Sequence, residues 1–219
     1  MVTNIEGLGT DNIFEWQVIE VVGDGRVTAE NANSTGKLQV SETTDGTVSK
    51  ISYGGFYNLR RKLRYYFSLC QLYVSVYNTV GYIGIGCLSD PTGSAGNNSA
   101  IAFRFGDGAG NNKIYAYSSD GANETATDTG LTFTNATYEY DYGDFAFEWD
   151  PVEEEIKYYH NGILVATHTS SDNIPSILTD KQFQDELMYA DPETGGVPSD
   201  ISMIVNKITI YTKMYDIFD

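Results

Sequence analysis

The chain has 219 residues, with 30 acidic and 13 basic side chains and a formal net charge of −17. This charge argues against non-specific nucleic-acid binding and against attachment to an anionic membrane surface, because both depend on an excess of Lys and Arg. No apolar run reaches the roughly 18 residues of a membrane-spanning helix, and the first residues lack a basic leader and an apolar stretch, so we expect neither membrane insertion nor a signal peptide.

Alternating polar and apolar residues predict strands along the whole chain, and therefore an all-β protein with minimal helix. Residues 14–22 form the predicted opening strand, and residues 201–215 form a predicted closing strand. The alternation weakens at about residues 176–198, where we expect an irregular segment with one or two helical turns. Because all-β chains of this length are commonly one domain, residues 1–219 are interpreted as a single domain.

A hairpin is predicted for residues 69–77 and 81–88, with its turn near Asn78. Cys70 and Cys87 then lie on facing strands, at a distance that permits a disulfide. Two cysteines do not make a disulfide framework, however, and two buried free thiols are the favoured interpretation.

The strongest local signal is the pair Asn161-Gly162 between two alternating runs. Both central residues of a type I′ turn need positive φ, which Asn and Gly accept, so the pair predicts a tight β-hairpin. Centring the turn on this pair sets Tyr158 opposite Val165. Upstream, the apolar residues of segment 145–149 alternate as in a strand with one buried face.

Several of these segments resemble the late strands of the concanavalin-A-like lectin/glucanase sandwiches, namely FEWDP, IKYYHNGILVATHT and NIP. Upstream, GYIGIG, AIAFRFGDG, IYAYSSDG and TATDTGLTF are similar to the middle strands of one branch of that superfamily, which includes structural proteins of viruses and phages. The resemblance covers roughly residues 14 to 212 and implies a jelly-roll sandwich of two antiparallel sheets. It also implies that the opening strand lies near the closing one. It is more specific for fold than for function, because this fold carries enzymes, lectins and inert modules alike.

The resemblance also raises the question of glycoside hydrolysis, which needs two carboxylates beside the scissile bond. Retaining glucanases of the superfamily carry them on one strand as E-x-D-x-x-E, and Glu139, Asp141 and Asp144 come near that pattern. These residues run directly into the later strand, however, and the strand at the matching place, residues 100–105, carries Arg104 instead. We therefore expect no catalytic residues, no enzymatic activity and no cofactor.

Metal and nucleophile motifs are weak. Neither His160 nor His168 has a Cys or Ser partner in a recognisable nucleophile motif, and no zinc-ligand spacing occurs. Asp107, Asn111 and Asn112 form a weak calcium candidate, because Ca²⁺ prefers oxygen ligands. Since Asp and Asn are also the usual residues of turns, we favour the turn and expect no metal site.

A candidate ligand-binding patch consists of Arg104, Tyr115 and Tyr117. The two tyrosines lie two residues apart on one predicted strand, so they point the same way. A tyrosine ring can stack on the apolar face of a sugar while its hydroxyl forms hydrogen bonds, which makes glycans the expected ligand. Ordinary sheet packing by aromatic residues is the alternative.

A basic cluster forms the second candidate surface, made of Arg60, Arg61, Lys62 and Arg64. In an acidic protein such a cluster can meet an acidic patch of a neighbouring subunit, for example residues 153–155, and so orient association. A solvated strand is the alternative interpretation.

Together these observations favour a non-catalytic structural or surface protein of a virus or phage particle. Such a protein is made in the host cytoplasm and located in the virion, forms a homo-oligomer or contacts other virion proteins, and can contact host glycans. A stand-alone carbohydrate-binding module is the alternative, and a glycoside hydrolase is less favoured.

Overall fold

The computed structural model of the chain describes the backbone of residues 2–6, 16–22, 26–32, 35–41, 48–57, 59–74, 80–86, 99–106, 111–133, 142–176, 183–190 and 201–212. Side chains are described for residues 59–68, 80–86, 99–106, 111–133, 142–176 and 210–211. These described residues contain no helix, and hence none long and apolar enough to cross a membrane.

The described part of the chain is built from β-strands. In chain order they are β1 (Val2–Glu6), β2 (Trp16–Val22), β3 (Arg26–Ala32), β4 (Thr35–Ser41), β5 (Val48–Tyr57), β6 (Leu63–Val74), β7 (Val80–Gly86), β8 (Ser99–Phe105), β9 (Lys113–Asp120), β10 (Glu124–Thr132), β11 (Asp144–Asp150), β12 (Glu155–His160), β13 (Ile163–Thr169), β14 (Phe183–Ala190) and β15 (Ile201–Thr212).

Two large antiparallel sheets make up the sandwich. The six-stranded sheet has the order β1-β15-β6-β11-β12-β13, and the seven-stranded sheet has the order β10-β9-β8-β7-β14-β5-β2. Strands β3 and β4 form a separate two-stranded sheet. This architecture confirms the predicted all-β, jelly-roll sandwich of two antiparallel sheets.

The core between the sheets is rich in aromatic rings. Phe67 on β6 and Phe145 on β11 are opposite in register and stack with their centroids 5.1 Å apart. Tyr65 and Phe147 form a second stacked pair at 4.9 Å. From the other sheet, Phe103 on β8 meets Phe145 edge to face at 5.1 Å. Such pairs stabilise a fold by about 0.5–1.5 kcal/mol each beyond the area that they bury.

Two buried polar groups of the core find backbone carbonyl acceptors. The Trp149 Nε1–H donates to the Leu59 carbonyl oxygen at 2.6 Å, and the Tyr158 hydroxyl donates to the Tyr117 carbonyl oxygen at 2.6 Å. The second bond joins β12 of the six-stranded sheet to β9 of the seven-stranded sheet. Buried Trp and Tyr need a partner for their polar atom. The Tyr158 bond therefore fixes how the two sheets face each other, whereas the Trp149 bond ties β11 to the residues that precede β6.

The predicted Asn161-Gly162 hairpin is confirmed, but its register differs from the prediction. Both turn residues have positive φ, 49° at Asn161 and 77° at Gly162. A β-bulge follows, so Tyr158 pairs with Ala166 rather than with Val165. The bulge adds one residue to β13 and thereby turns Ala166, which is 9% exposed, towards the core.

The predicted hairpin between residues 69–77 and 81–88 is wrong. Strand β6 lies between β15 and β11 in the six-stranded sheet, whereas β7 lies between β8 and β14 in the seven-stranded sheet. Two consecutive alternating runs fit a hairpin and a crossing between sheets equally well, because alternation reveals a buried face and not a pairing partner. The proposed pairing of Cys70 with Cys87 falls outside the residues whose side chains the structure describes.

The segment predicted to be irregular with helical turns, about residues 176–198, contains β14 instead. This strand pairs with β5 on one side and β7 on the other, so it lies inside the sheet. The adjacent acids Asp185 and Glu186 interrupt the hydrophobic alternation, and the ladder on both sides stabilises the strand where the pattern fails. The prediction for the chain ends is also corrected, since β1 pairs with β15 while β2 lies at the far edge of the other sheet.

Candidate functional site

The predicted ligand-binding residues lie on the outward face of the seven-stranded sheet. Along β8 the side chains alternate, so Phe103 and Phe105 enter the core and Arg104 projects from the opposite face. Register pairs Arg104 with Tyr115 and places Tyr117 beside the next outward residue, Ala102. The structure therefore brings Arg104, Tyr115 and Tyr117 together, as the sequence predicted. Glu124 at the start of β10 joins them, and these four residues are called the Arg104 patch.

The guanidinium of Arg104 is held by two aromatic rings and one carboxylate. Its Cζ lies 4.7 Å from the centroid of Tyr115 and 5.8 Å from that of Tyr117, distances at which cation–π attraction operates. Its Nη1 is 3.5 Å from Oε1 of Glu124, and its side chain is only 13% exposed. Within the described part of the chain, the buried Nε–H of Arg104 has no hydrogen-bond partner.

Tyr117 supports the patch from below. It is 4% exposed, packs edge to face on Tyr82 at 5.0 Å, and its hydroxyl donates to Oε2 of Glu124 at 3.0 Å. Burial raises the pKa of Tyr82 to about 12, with nearby Arg104 opposing the shift. Burial also raises the pKa of Tyr117, reinforced by Tyr82 and Glu124. Both phenols therefore stay protonated near neutral pH, and Tyr117 orients Glu124 rather than offering an open ring.

Tyr115 and Glu124 are the more accessible members of the patch. Tyr115 is partly exposed, and its hydroxyl accepts a hydrogen bond from Nδ2 of Asn111 at 2.8 Å. The Glu124 side chain is half exposed. A ligand at this place meets one ring face, one guanidinium edge and one carboxylate, which together can stack on an apolar face and exchange hydrogen bonds with hydroxyl groups.

The asparagines of the calcium candidate hold a turn. Oδ1 of Asn111 accepts from the Lys113 amide at 3.1 Å, and Nδ2 of Asn112 donates to the Phe133 carbonyl oxygen at 2.8 Å. Asp107 lies outside the described residues. Among the residues that the structure describes, no group of three or more His, Cys, Asp or Glu side chains is arranged to hold a metal ion. The calcium candidate stays a prediction.

Sequence motifs did not reveal a buried pair of His168 and Ser118, which lie 50 positions apart. Nδ1 of His168 is 2.8 Å from Oγ of Ser118, and Nε2 is 2.9 Å from Oγ1 of Thr127. Both members of the pair are almost fully buried, at 1% and 0% exposure. A substrate cannot reach this serine, so the pair joins β13 to β9 and β10 and is a structural link between the sheets.

The basic cluster lies at one end of the six-stranded sheet. Arg60, Arg61 and Arg64 are exposed, and Lys62 forms an ion pair with Asp150. Arg64 lies 3.4 Å from Glu148. Part of the cluster is therefore neutralised within its own chain, and its role in a subunit interface stays a prediction.

Comparisons with known proteins identify the fold. No protein-family model matches the chain, and no curated protein sequence matches it. Among solved structures, a beta-glucanase from Bacillus licheniformis is similar with a TM-score of 0.59 and 18% identity over 97% of this chain and 98% of that one. A prokaryotic beta-1,3-1,4-glucanase (lichenase) from a mouse hindgut metagenome gives a TM-score of 0.63 and 14% identity over 95% and 98%. The carbohydrate recognition domain of Emp46p, in its potassium-bound form, gives 0.55 and 9% over 94% and 92%.

These structures are concanavalin-A-like lectin/glucanase folds, and at such low identities the likeness concerns the fold. The chain is thus a lectin/glucanase-like sandwich whose structural neighbours are proteins of carbohydrate chemistry. The expectation that the chain is not an enzyme is contradicted, because two of these three neighbours are glucanases. Arg104 in place of the expected carboxylates was too narrow a basis for that expectation. The viral and phage branch stays a prediction.

Proposed function

We propose that the chain binds carbohydrate at the Arg104 patch on the outward face of its seven-stranded sheet. The observation that carries the proposal is the guanidinium of Arg104, which is clamped by Tyr115 and Tyr117 while its buried Nε–H lacks a partner in the described part of the chain. An unpaired buried donor costs about 1–3 kcal/mol. A native protein retains such a group where it has a role. Because this Nε–H is itself inaccessible, the ligand contacts fall to the partly exposed Tyr115 ring and the half-exposed Glu124 carboxylate, which the Arg104 guanidinium holds in place.

The charges of the patch favour an uncharged ligand. The positive charge of Arg104 is balanced by Glu124, and neighbouring Lys113 is balanced by Asp128. The whole chain carries −17, which repels polyanions at long range. A neutral sugar chain offers both donors and acceptors and no charge to desolvate.

Binding to a panel of neutral polysaccharides by affinity electrophoresis and calorimetry tests this proposal, with a soluble β-1,3-1,4-glucan as the first probe. We expect Tyr115→Ala to weaken binding at least tenfold, since it removes the accessible ring, and Tyr115→Phe to weaken it less. Val152→Ser, at a residue that is 79% exposed on the β11–β12 turn, is the control and leaves binding unchanged. Absence of binding to the whole panel, or unchanged binding by Tyr115→Ala, would refute the proposal.

Glycoside hydrolysis is the second candidate function, favoured by the glucanases among the structural neighbours. Glu124 supplies one half-exposed carboxylate, held by Tyr117 and Arg104. The two carboxylates of such enzymes lie about 5–5.5 Å or 6.5–9.5 Å apart. Asp128, four residues further along β10, lies about 13 Å away at ~3.4 Å per residue, which is too far. Glu186 on β14 is too far as well, because β14 and β10 are four strands apart in the sheet, about 19 Å at ~4.8 Å per strand. The partner carboxylate would therefore be a residue that the structure does not describe, and Asp107 is the one to test.

Release of reducing ends from the same polysaccharides tests this second function. A hydrolase that uses Glu124 and Asp107 loses its turnover in Glu124→Gln and in Asp107→Asn, while each variant still binds the polysaccharide. No turnover by the wild-type protein on any polysaccharide that it binds would exclude hydrolysis and leave binding as the function.

We also propose, from the sequence resemblance alone, that the chain is a virion surface component that assembles in copies or with other virion proteins. Assembly is supported by two exposed groups of opposite charge. The basic group is Arg60 and Arg61, and the acidic group is Glu153 and Glu154. Light scattering across a concentration series tests assembly. We expect a closed oligomer that Arg60→Glu/Arg61→Glu dissociates and that high salt weakens. A strict monomer at all concentrations would contradict self-assembly.

A further inference from the structure

The outward face of the six-stranded sheet carries a second group of aromatic and charged side chains that the Arg104 patch does not include. Strands β6, β11 and β12 place Tyr66, Ala146 and Tyr159 side by side at one register position. At the next outward position, the same strands place Arg64, Glu148 and Lys157 side by side. An aromatic row thus lies next to a charged row, about 7 Å away, since two residues of a strand rise by ~6.8 Å.

The aromatic row is a platform with a small central residue. Tyr66 and Tyr159 are both partly exposed, whereas Ala146 between them is 5% exposed. Neighbouring strands are about 4.8 Å apart, so the two tyrosines flank the alanine at roughly 10 Å from backbone to backbone. Both rings therefore keep part of their area exposed beside this buried alanine.

The charged row is oriented by its own contacts. The Tyr159 hydroxyl donates to Oε2 of Glu148 at 3.1 Å, and Nη1 of Arg64 lies 3.4 Å from Oε1 of the same carboxylate. These two contacts fix the position of the Glu148 carboxylate beside the aromatic row. A carboxylate has about four lone-pair positions and a guanidinium has five N–H donors, so both groups retain capacity for a ligand. Their side chains are 39% and 53% exposed.

Charge identifies the kind of ligand that fits this face. Three ion pairs alternate in sign across it, formed by Lys62 with Asp150, Arg64 with Glu148 and Lys157 with Glu155. Each of these three pairs is neutral, although the chain carries −17. Alternating donors and acceptors beside flat rings match a neutral polyhydroxylated chain, which stacks on aromatic faces and exchanges hydrogen bonds of both senses. Nucleic acid and other polyanions fit less well, because the basic side chains of these rows are paired with carboxylates and the chain as a whole carries −17.

We propose that this face is a second carbohydrate-binding site, in which Tyr66 and Tyr159 stack sugar rings and Arg64 and Glu148 bind their hydroxyl groups. The site rests on contacts separate from those of the Arg104 patch and lies on the opposite sheet. A chain with two such faces binds two strands of a polysaccharide and cross-links them. This multivalency raises the apparent affinity for a polymer well above that for a short oligosaccharide.

Calorimetry with a panel of neutral oligosaccharides and polysaccharides, including a soluble β-1,3-1,4-glucan and a galactomannan, tests the second site by its stoichiometry. We expect Tyr66→Ala/Tyr159→Ala to remove one binding event per chain and to lower the apparent affinity for polymer at least tenfold. Tyr159→Phe keeps the ring and gives a smaller loss through Glu148. The control Val152→Ser, at a residue that is 79% exposed on the β11–β12 turn, leaves both binding events intact.

The experiment separates the two proposed sites. If Tyr115→Ala has no effect while Tyr66→Ala/Tyr159→Ala abolishes binding, the second site stands and the Arg104 patch fails. If the double variant binds the panel with unchanged stoichiometry and affinity, the second site is overturned. It is also overturned if light scattering shows a wild-type dimer that the double variant dissociates, because a second copy of the chain then occupies the face. Circular dichroism of the double variant and of Tyr159→Phe establishes that both are folded before binding is compared.

Discussion

At the scale of single residues, His168 shows how one buried polar side chain joins the edges of the two sheets. The Ser118 hydroxyl donates to the Asp172 carbonyl oxygen at 2.9 Å, so its lone pair is available to accept from Nδ1–H of His168. Nε2 then accepts from the Thr127 hydroxyl. A neutral imidazole satisfies both of its nitrogens in this network, with the tautomer assigned from the hydrogen bonds. Burial lowers the pKa of His168 below its ordinary value of 6.5, with Asp172 opposing the shift.

This burial predicts a loss of stability on mild acidification. The unfolded chain protonates His168 at a higher pH than the folded chain does, so the stabilisation is complete above about pH 6.5 and decreases as the pH falls below it. One proton changes the free energy of unfolding by at most about 1.4 kcal/mol per pH unit. Urea unfolding between about pH 7.5 and pH 5.5 measures the slope, a range that lies above the titration of the ion-paired carboxylates of Asp128 and Asp150.

His160 provides the matched control, because the chain has two histidines. His168→Gln is expected to be less stable at about pH 7.5 and to lose most of the slope in this range, since it cannot take up the proton. His160→Gln shows whether a change in slope is specific to His168. Equal slopes in wild type and His168→Gln would show that the network does not carry the pH dependence.

Position 84 requires glycine for a steric reason and not for its backbone conformation. A Cβ at this position would lie 2.2 Å from the Ile101 carbonyl oxygen and 2.6 Å from Cα of Ala102. Both are backbone atoms of the adjacent strand β8, so β7 and β8 would have to separate. We expect Gly84→Ala to destabilise the protein by about 1–3 kcal/mol, the usual cost of overpacking.

Gly130 separates this effect from backbone strain. A Cβ there would meet no atom within 4 Å, but the residue has φ +76°, so Gly130→Ala costs only the strain of a left-handed residue, about 1 kcal/mol. Chemical unfolding of both variants compares the two causes. A smaller loss for Gly84→Ala than for Gly130→Ala would refute the close approach of β7 and β8.

At the scale of elements, the β12–β13 hairpin depends on its turn for more than conformation. Asn161 has φ 49°, and its side-chain Oδ1 accepts from the backbone N–H of Asp144 at 2.8 Å. The backbone N–H of Asn161 donates to the Asp144 carbonyl oxygen at 2.7 Å. The turn is thereby tied to the first residue of β11. The side chain thus supplies both a tolerance of positive φ and a hydrogen bond to the neighbouring strand.

Three substitutions separate these two contributions. Asn161→Asp keeps both and is expected to stay close to wild type. Asn161→Gly keeps the turn and loses the hydrogen bond, at a cost of about 1 kcal/mol. Asn161→Ala loses both and is expected to cost about 2 kcal/mol. The free energy of unfolding in urea gives the order, and an Asn161→Ala variant as stable as Asn161→Asp would contradict it.

Elements also mark the limit of what this sequence predicts. The Asn161-Gly162 turn and the alternation in β11 were readable because local chemistry determines them. The strands with which β6 and β7 pair were not readable, because those pairings depend on contacts distant in sequence. Strand β14 was not predicted, because its stability comes from the hydrogen bonds to both neighbouring strands rather than from alternation in its own sequence.

The candidate site follows the same division. Alternation placed Tyr115 and Tyr117 on one face and Arg104 beside them, as the structure shows. Glu124 was missed, because its place depends on how β10 folds back on β9. The burial of Tyr117 depends on packing against Tyr82, which no residue pattern records. A sequence therefore predicts which side chains share a face better than it predicts which of them stay accessible.

At the scale of the whole molecule, the net charge of −17 opposes folding. A compact chain brings its acidic side chains closer together, so self-repulsion lowers the free energy of unfolding. The ion pairs on the surface act in the other direction. Exposed pairs of this kind contribute about 0–1 kcal/mol each, and salt screens them as well as the repulsion.

Because the acidic side chains outnumber the basic ones by more than two to one, 30 against 13, we expect repulsion to dominate and added salt to stabilise the protein. Raising NaCl from about 0.02 M to 0.3 M shortens the Debye length from ~20 Å to about 6 Å, and a gain of about 1 kcal/mol raises the Tm of a chain of this size by about 2–4 °C. Differential scanning calorimetry measures the shift.

The variant Glu153→Gln/Glu154→Gln, altered at two exposed residues of the β11–β12 turn, removes two negative charges. It is expected to show a higher Tm at low salt and a smaller gain from NaCl. A Tm that falls with salt in the wild type would mean that attraction within the ion pairs outweighs the repulsion between acidic residues.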